Sequence, residues 1–429
     1  MPDDHSRSTQ AHWAERAKAV LPAGGFGNFP ANVVIARGEG AHVWDEDGRE
    51  FIDYLIGSGP MLVGHSHPEV LEAVQEQLAL GQTFFANNAR GIELAEEICR
   101  AVACADKLRF VSTGGEADMY AMRLARAHTG RDKILKFEGG YHGMSDQALM
   151  SLAPSVMVNY PQAVPDSAGI SEHVRDQTIV APFNDPEVFT QLLDEYGHEI
   201  AGVIVEPLQR LIPPAPGFLE HVRAETAKRG IVLIFDEVVT GFRLAYGGAQ
   251  EKYGVAPDLC TLGKVIGGGF PLAAIAGSED IMAHFDKEKV GADGFTFQVG
   301  TLSGNPIAAV AGLKTMEILR RPGTYEALRA KGEILMGAIR DSFAGSGVPV
   351  QVVGDAALFD AVFAEHPVTN YRGVLTSNPD HSKRYNTLMR ARGILKPDSK
   401  MYPSTALTET DIEQTVAAIR EAAAIMGGS

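Results

Sequence analysis

Cysteine is scarce in this sequence, with only Cys99, Cys104 and Cys260 among 429 residues. Three thiols cannot build a disulfide framework, and their spacing matches no zinc-ligand pattern. No metal site is expected, and a reducing cytoplasmic setting fits best. Long apolar runs are also missing. The longest are strand-sized, short of the roughly 18–20 residues that a spanning helix needs. The polar start MPDDHSRSTQAHW does not look like a secretory leader. Positive charge is the minority: 38 Lys and Arg against 54 Asp and Glu give 38 − 54 = −16. That balance repels phosphate backbones and anionic lipid, so neither nucleic acid nor membrane is an expected partner. Internal repeats and low-complexity blocks are absent as well.

What is present is a globular composition, 45% hydrophobic and 21% charged, which excludes a disordered chain. Near the start, apolar runs at 33–36, 42–45 and 51–54 are separated by RGEG and EDG turn signals and predict a small antiparallel meander. A helix is expected from Pro68, with Leu71, Val74 and Leu78 at helical spacing. From about residue 105 buried-strand candidates recur at 108–111, 134–137, 178–181, 203–205, 232–235, 259–262 and 273–276. Helical patterns at 117–128, 186–196 and 218–228 fall between them. Continuous apolar strands alternating with helices predict an α/β fold around a mostly parallel sheet of seven strands. A long helix is expected at 306–319. After RRPG the pattern changes to helices near 325–343, 382–392 and 409–425 and strands near 350–353 and 357–363, with Thr408 as an N-cap. The expected organisation is a segment 1–66, a large α/β domain 67–320, and a C-terminal unit 321–429 that forms a small α+β domain with the N-terminal segment.

Four motifs could carry chemistry. Ser112-Thr113-Gly114-Gly115-Glu116 follows a strand and opens a helix, where free amides suit a phosphate, or make an ordinary structural joint. Asp236 and Glu237 end a run of apolar residues, at the sheet edge where α/β folds hold ligands. A capping acid is the plain alternative. Lys264 lies between the strand LCTL and a triple glycine, a crowded setting that would lower its pKa and make it nucleophilic, whereas a lone lysine more commonly reaches solvent. Gly139-Gly140-Tyr141-His142-Gly143 presents an aromatic able to stack on a flat ring. His142 is open to a role as ligand, base or plain loop residue. Together the four match what pyridoxal phosphate requires: a phosphate anchor, a ring platform, a partner for the pyridinium and a Schiff-base lysine.

The chain resembles the class III aminotransferases of the fold-type-I pyridoxal-phosphate family, and within them the glutamate-1-semialdehyde aminomutase-like branch. The resemblance rests on VWDEDGREFIDY, GHSHPEV, STGGEADMYAMRLAR, KFEGGYHG, VIVEP, LIFDEVVTGFR, PDLCTLGKVIGGGFPLAAIAG and GTLSGNP, which span nearly the whole chain. It implies that Lys264 forms the internal aldimine and moves a proton, and that Asp236 keeps the ring nitrogen protonated. It also implies that Tyr141 and Val238 cover the two ring faces, with His142 and Glu206 nearby. Thr113, Gly114 and Gly115 match the phosphate cup, with Gly115 where many relatives carry Thr. Thr301 matches the residue that reaches the phosphate of a neighbouring subunit, implying a homodimer or dimer of dimers with shared active sites.

The resemblance breaks at the substrate pocket. Where the aminomutase branch has an arginine anchor, residues 22–29 read PAGGFGNF, and Ser58 replaces an aromatic before GPM. Arg210, Lys396 and Lys400 are candidate replacement anchors, each with a solvated charge as the alternative. Phe84 and Phe85 are candidate pocket walls. The expected activity is ping-pong transamination between an amine or amino acid and a keto acid or aldehyde. Aminomutase, racemase or lyase chemistry on the same scaffold is the alternative.

Overall fold

The computed structural model describes residues 10–428; residues 1–9, most of the polar start discussed above, lie outside it. The expected meander forms as β1 (Ile35–Glu39), β2 (His42–Asp45) and β3 (Glu50–Asp53), with both pairings antiparallel. The first strand begins two residues later than the apolar run suggested, because Val33 and Val34 belong to the approach to the sheet.

Seven strands then build one large sheet: β4 (Lys107–Val111), β5 (Lys133–Phe137), β6 (Thr178–Ala181), β7 (Ile200–Val205), β8 (Val232–Glu237), β9 (Leu259–Leu262) and β10 (Ala273–Gly277). Their order is β4-β10-β9-β8-β7-β5-β6. Strand β10 runs antiparallel to β4 and β9, and every other pairing is parallel. The mostly parallel seven-stranded sheet expected from the sequence is therefore observed. Alternate side chains point to opposite faces. Ile134, Ala201, Ile204, Ile234, Leu259 and Ile275 pack on one side with Ala117, Ala121 and Leu124 of the helix Gly114–Thr129. Leu135, Val203, Phe235, Cys260 and Ala274 pack on the other side. With both faces covered, the strands need apolar residues at every position, which is why they read as unbroken runs.

The C-terminal part contributes the hairpin β11 (Gln351–Asp355) and β12 (Leu358–Val362), and the two-residue strand β13 (Ile394–Leu395). Strand β13 pairs parallel with β3, so the chain ends share a sheet. They also share a core, in which Ile52 and Tyr54 meet Leu335, Phe359, Tyr385 and Ile419. Thr408 caps the last helix, Glu409–Gly427, in a reciprocal box with Asp411. The helix Pro68–Leu78 is present, but its buried face is Val70, Val74 and Gln77. Leu71 and Leu78, noted above for their helical spacing, are exposed. Among the described residues no helix is long and apolar enough to cross a membrane.

The topology brings the motifs together. Strands β4, β5, β7, β8 and β9 are mutually parallel, so their carboxyl ends share one sheet edge. From that edge emerge Ser112–Gly115, Glu138–Gly143, Glu206, Asp236–Val238 and Lys264. It is the edge where ligand crevices form in open α/β sheets.

Candidate active site

The helix after β4 starts with Thr113 as N-cap. Its Oγ1 accepts from the Glu116 amide at 3.2 Å, and the Glu116 carboxylate accepts from the Ser112 and Thr113 amides at 3.0 and 2.9 Å. Glu116 thus occupies two amides of the motif. The Gly114 and Gly115 amides find no acceptor among the described residues, and they carry the positive end of a 16-residue helix. Gly114 is required by close approach, and Gly115 is tightly approached. A Cβ on Gly114 would lie 2.7 Å from Val238 Cγ1, and one on Gly115 would lie 3.3 Å from Gly143 Cα. The arrangement fits a small anion held by backbone amides.

Strand β8 separates its two acids. Glu237 is buried and accepts from Thr240, Ala249 and Gln250, so it is a structural acid. Asp236 Oδ2 accepts from His142 Nδ1 at 2.8 Å, and Oδ1 accepts from the Val238 amide at 3.1 Å. That bond gives His142 its Nδ1–H tautomer, and it leaves a buried Nε2 with no partner. Tyr141 beside it is exposed, with its amide held by Glu206 Oε2 at 2.8 Å. Val238 lies between the phosphate-type helix start and the lysine, since a Cβ on Gly263 would come 3.2 Å from its Cγ1.

Two residues here were not foreseen. Thr261, paired with Asp236 across β8 and β9, donates to Asp118 Oδ1 at 2.6 Å and lies 3.5 Å from Asp236 Oδ1. Asp118 is fully buried and makes no ion pair among the described residues. Burial, followed by the charge of Asp236, pushes its pKa well above the ordinary aspartate value. The signal was present: Asp118 shares a helical face with Met122 and Ala125, at i+4 and i+7, so an acid occupies an apolar stripe.

Lys264 opens a short turn, Lys264–Gly267, with φ +49°. A left-handed lysine costs about 1–2 kcal/mol, and such strain collects at functional sites. Burial holds its amine below the usual lysine pKa; Tyr402 and Asp236 pull it back up, and the Lys400 charge adds to the lowering. Gly59 lets the side chain pass, because a Cβ there would sit 3.2 Å from Lys264 Cδ and 3.3 Å from Tyr402 Cε1. Tyr402, also unforeseen, is buried and hydrogen-bonds Ser58. Burial pushes its phenol up, but the Lys400 and Lys264 charges outweigh that, and its pKa falls below the ordinary value. Ser58 is therefore adjacent to the lysine. Lys136 is a second buried amine, lowered to about 7 by burial, but it donates to the Ala148 and Met150 carbonyls at 2.7 Å each.

The three candidate anchors part ways. Lys396 is not available: its ammonium meets Asp360 at 2.8 Å, Asn386 at 2.6 Å and the Pro397 carbonyl at 2.9 Å, all inside the C-terminal core. Its charge is paired and two hydrogen bonds tie it into that core, which corrects the expectation of a substrate contact. Lys400 reaches the Tyr402 ring, 6.0 Å away. Arg210 stands over Tyr141, 5.4 Å from the ring centroid. Phe84 and Phe85 are exposed. Phe85 lines a groove with Ile92, Phe110, Val299 and Gly304. Thr301, also exposed, belongs to the loop flanking that groove, which Asn88 anchors through the Gly304 carbonyl at 2.8 Å.

Comparison with known proteins agrees with this geometry. The family model described as aminotransferase class-III matches residues 26–422. A curated relative from Desulforudis audaxviator, named glutamate-1-semialdehyde 2,1-aminomutase, is 41% identical over 98% of each chain. One from Brevibacillus brevis, named glutamate-1-semialdehyde 2,1-aminomutase 2, is 42% identical over 91% of this chain and 90% of its own. Among solved structures, an omega-transaminase from Sphaerobacter thermophilus superimposes with a TM-score of 0.91 at 35% identity, covering 97% of this chain and 98% of that one. The phosphate-type helix start, the aspartate–histidine pair and the strained lysine thus occur in a chain that belongs to the class-III aminotransferase family.

Proposed function

We propose that this enzyme moves an amino group with pyridoxal phosphate held by the residues above. The single observation that carries the reading is the strained, partly buried Lys264 on the same sheet edge as the Asp236–His142 pair. The cofactor supplies an aldehyde for amines and a protonated ring that withdraws electrons from the bond being broken. The Gly114 and Gly115 amides would hold its phosphate. Asp236 would hold a proton at the ring nitrogen, and His142 keeps that carboxylate oriented. The buried His142 Nε2 and the glycine-lined approach between Val238 and Gly114 fit such a group. Lys264, its pKa lowered by burial, would attach covalently and then take and return the proton that moves.

The names of the curated relatives favour intramolecular transfer, the aminomutase reading, over the transamination expected from sequence. A second reading, intermolecular transamination, draws support from Ser58 beside Tyr402 and from PAGGFGNF at 22–29, which carries no arginine. Product formation without any keto-acid acceptor separates the two. Turnover under those conditions supports the mutase, and strict dependence on an acceptor supports the transaminase. If neither condition moves an amino group, the proposed function fails.

The domain division at 66 and 320 and a cytoplasmic setting belong to the same reading. So does a homodimer, supported by exposed Phe85, Phe297, Val299 and Leu302 around the Thr301 loop, an apolar surface suited to a second copy.

A further inference from the structure

Arg210 occupies a position that its turn would more readily give to glycine. Gln209 and Ile212 exchange backbone hydrogen bonds at 3.0 and 2.8 Å, closing a two-residue turn whose first member is Arg210, at φ +61°. Glycine or asparagine adopts that backbone freely, and arginine does not. The turn is held regardless, because Gln209 Nε2 donates to the Glu138 carbonyl at 2.8 Å, at the base of the loop that carries Tyr141. The guanidinium is thereby set over the Tyr141 ring, at the centre of the candidate site.

The guanidinium is also uncommitted. Among the described residues Arg210 makes no ion pair and no side-chain hydrogen bond, although it is only partly exposed. The carboxylates around it are engaged elsewhere. Glu206 holds the Tyr141 amide, Asp236 holds His142, and Glu138 is taken by Arg372 and Tyr160. Five N–H donors in a planar fork, facing a site and lacking a protein acceptor, match a carboxylate in bidentate geometry. Lys396, the rival closer to the C-terminus, is ion-paired with Asp360 and hydrogen-bonded to Asn386 and the Pro397 carbonyl.

We propose that Arg210 is the carboxylate anchor of the substrate, so that the amino donor is an amino acid rather than a simple amine. This rests on the proposed function for the amine end, but the anchor can be tested without turnover. Butanoate and its neutral amide, butanamide, are titrated into the cofactor-loaded protein by calorimetry, neither being able to donate an amino group. The wild type should bind butanoate at least about tenfold tighter than butanamide. Arg210→Gln should erase the preference and Arg210→Lys should keep part of it. Arg210→Gly should also erase it while raising Tm, because glycine relieves the left-handed backbone. A wild type without preference, or an Arg210→Gln protein that retains it, overturns the anchor and leaves amino transfer standing. Failure of amino transfer on every donor with carboxylate binding intact would overturn the proposed function and leave the anchor standing.

Discussion

Gly114→Ala puts the packing at the helix start to a quantitative test. The added Cβ would lie 2.7 Å from Val238 Cγ1 and 2.9 Å from Cγ2. Real carbon contacts are rarely below about 3.4 Å, so both methyls must move. Gly263 also faces Val238, a Cβ there lying 3.2 Å from the same Cγ1. Overpacking of this kind costs typically about 1–3 kcal/mol. If the strain falls on Val238 as a wall of the cofactor site, affinity for pyridoxal phosphate drops by roughly 5- to 150-fold. The assay is absorbance titration of the apoprotein with the cofactor, with Tm of the apoprotein recorded alongside. Val238→Ala removes both clashing methyls, so the Gly114→Ala/Val238→Ala double variant should recover most of the loss, giving a coupling well above the error of additive sites. Wild-type affinity and Tm in Gly114→Ala, or no rescue in the double variant, would refute the packing argument.

Two further outcomes follow from the buried charges. Asp118 has a folded pKa raised above its unfolded value, so the folded state retains a proton that the unfolded state has lost. Stability should therefore decline as pH rises above the ordinary aspartate range, and Asp118→Asn should flatten that part of the Tm–pH curve; an unchanged slope would show that Asp118 ionises freely. Lys400 contributes to the lowered pKa of Lys264, so Lys400→Met should shift the pH above which apoprotein captures the cofactor upward. A downward shift in stopped-flow capture rates would reverse the sign of that argument.

Much of this architecture was legible because buried parallel strands announce themselves. Strands such as IAGVIV and VLIFDE carry apolar residues on both faces, and the acids ending VLIFDE mark the carboxyl edge. Strand β13 was not legible, since two residues have no period and only pairing with β3 defines them. The helix Pro68–Leu78 shows a finer failure. Leu71, Val74 and Leu78 have helical spacing, but Val70 and Gln77 face the core instead, and spacing alone does not say which stripe a neighbour covers. At the site, the lysine, the aspartate and the glycines stood out because burial beside glycine is locally encoded. Arg210 and Lys396 looked equivalent in sequence, and what separates them is long-range. Asp360, 36 positions before Lys396, takes its charge, whereas no carboxylate among the described residues pairs with Arg210. Thr261 and Tyr402 were likewise hidden, because their partners lie 143 residues away in one case and across the two chain ends in the other.

The central claim is that Lys264 holds the cofactor. Lys136 provides a built-in rival, being more deeply buried and also lowered in pKa, to about 7. Borohydride reduction of the cofactor-loaded protein, followed by peptide mass mapping, decides between them. The account predicts one pyridoxyl group per chain, on the peptide containing Lys264, and none after Lys264→Ala. Label on Lys136 or any other lysine, or none at all in the wild type, would contradict it.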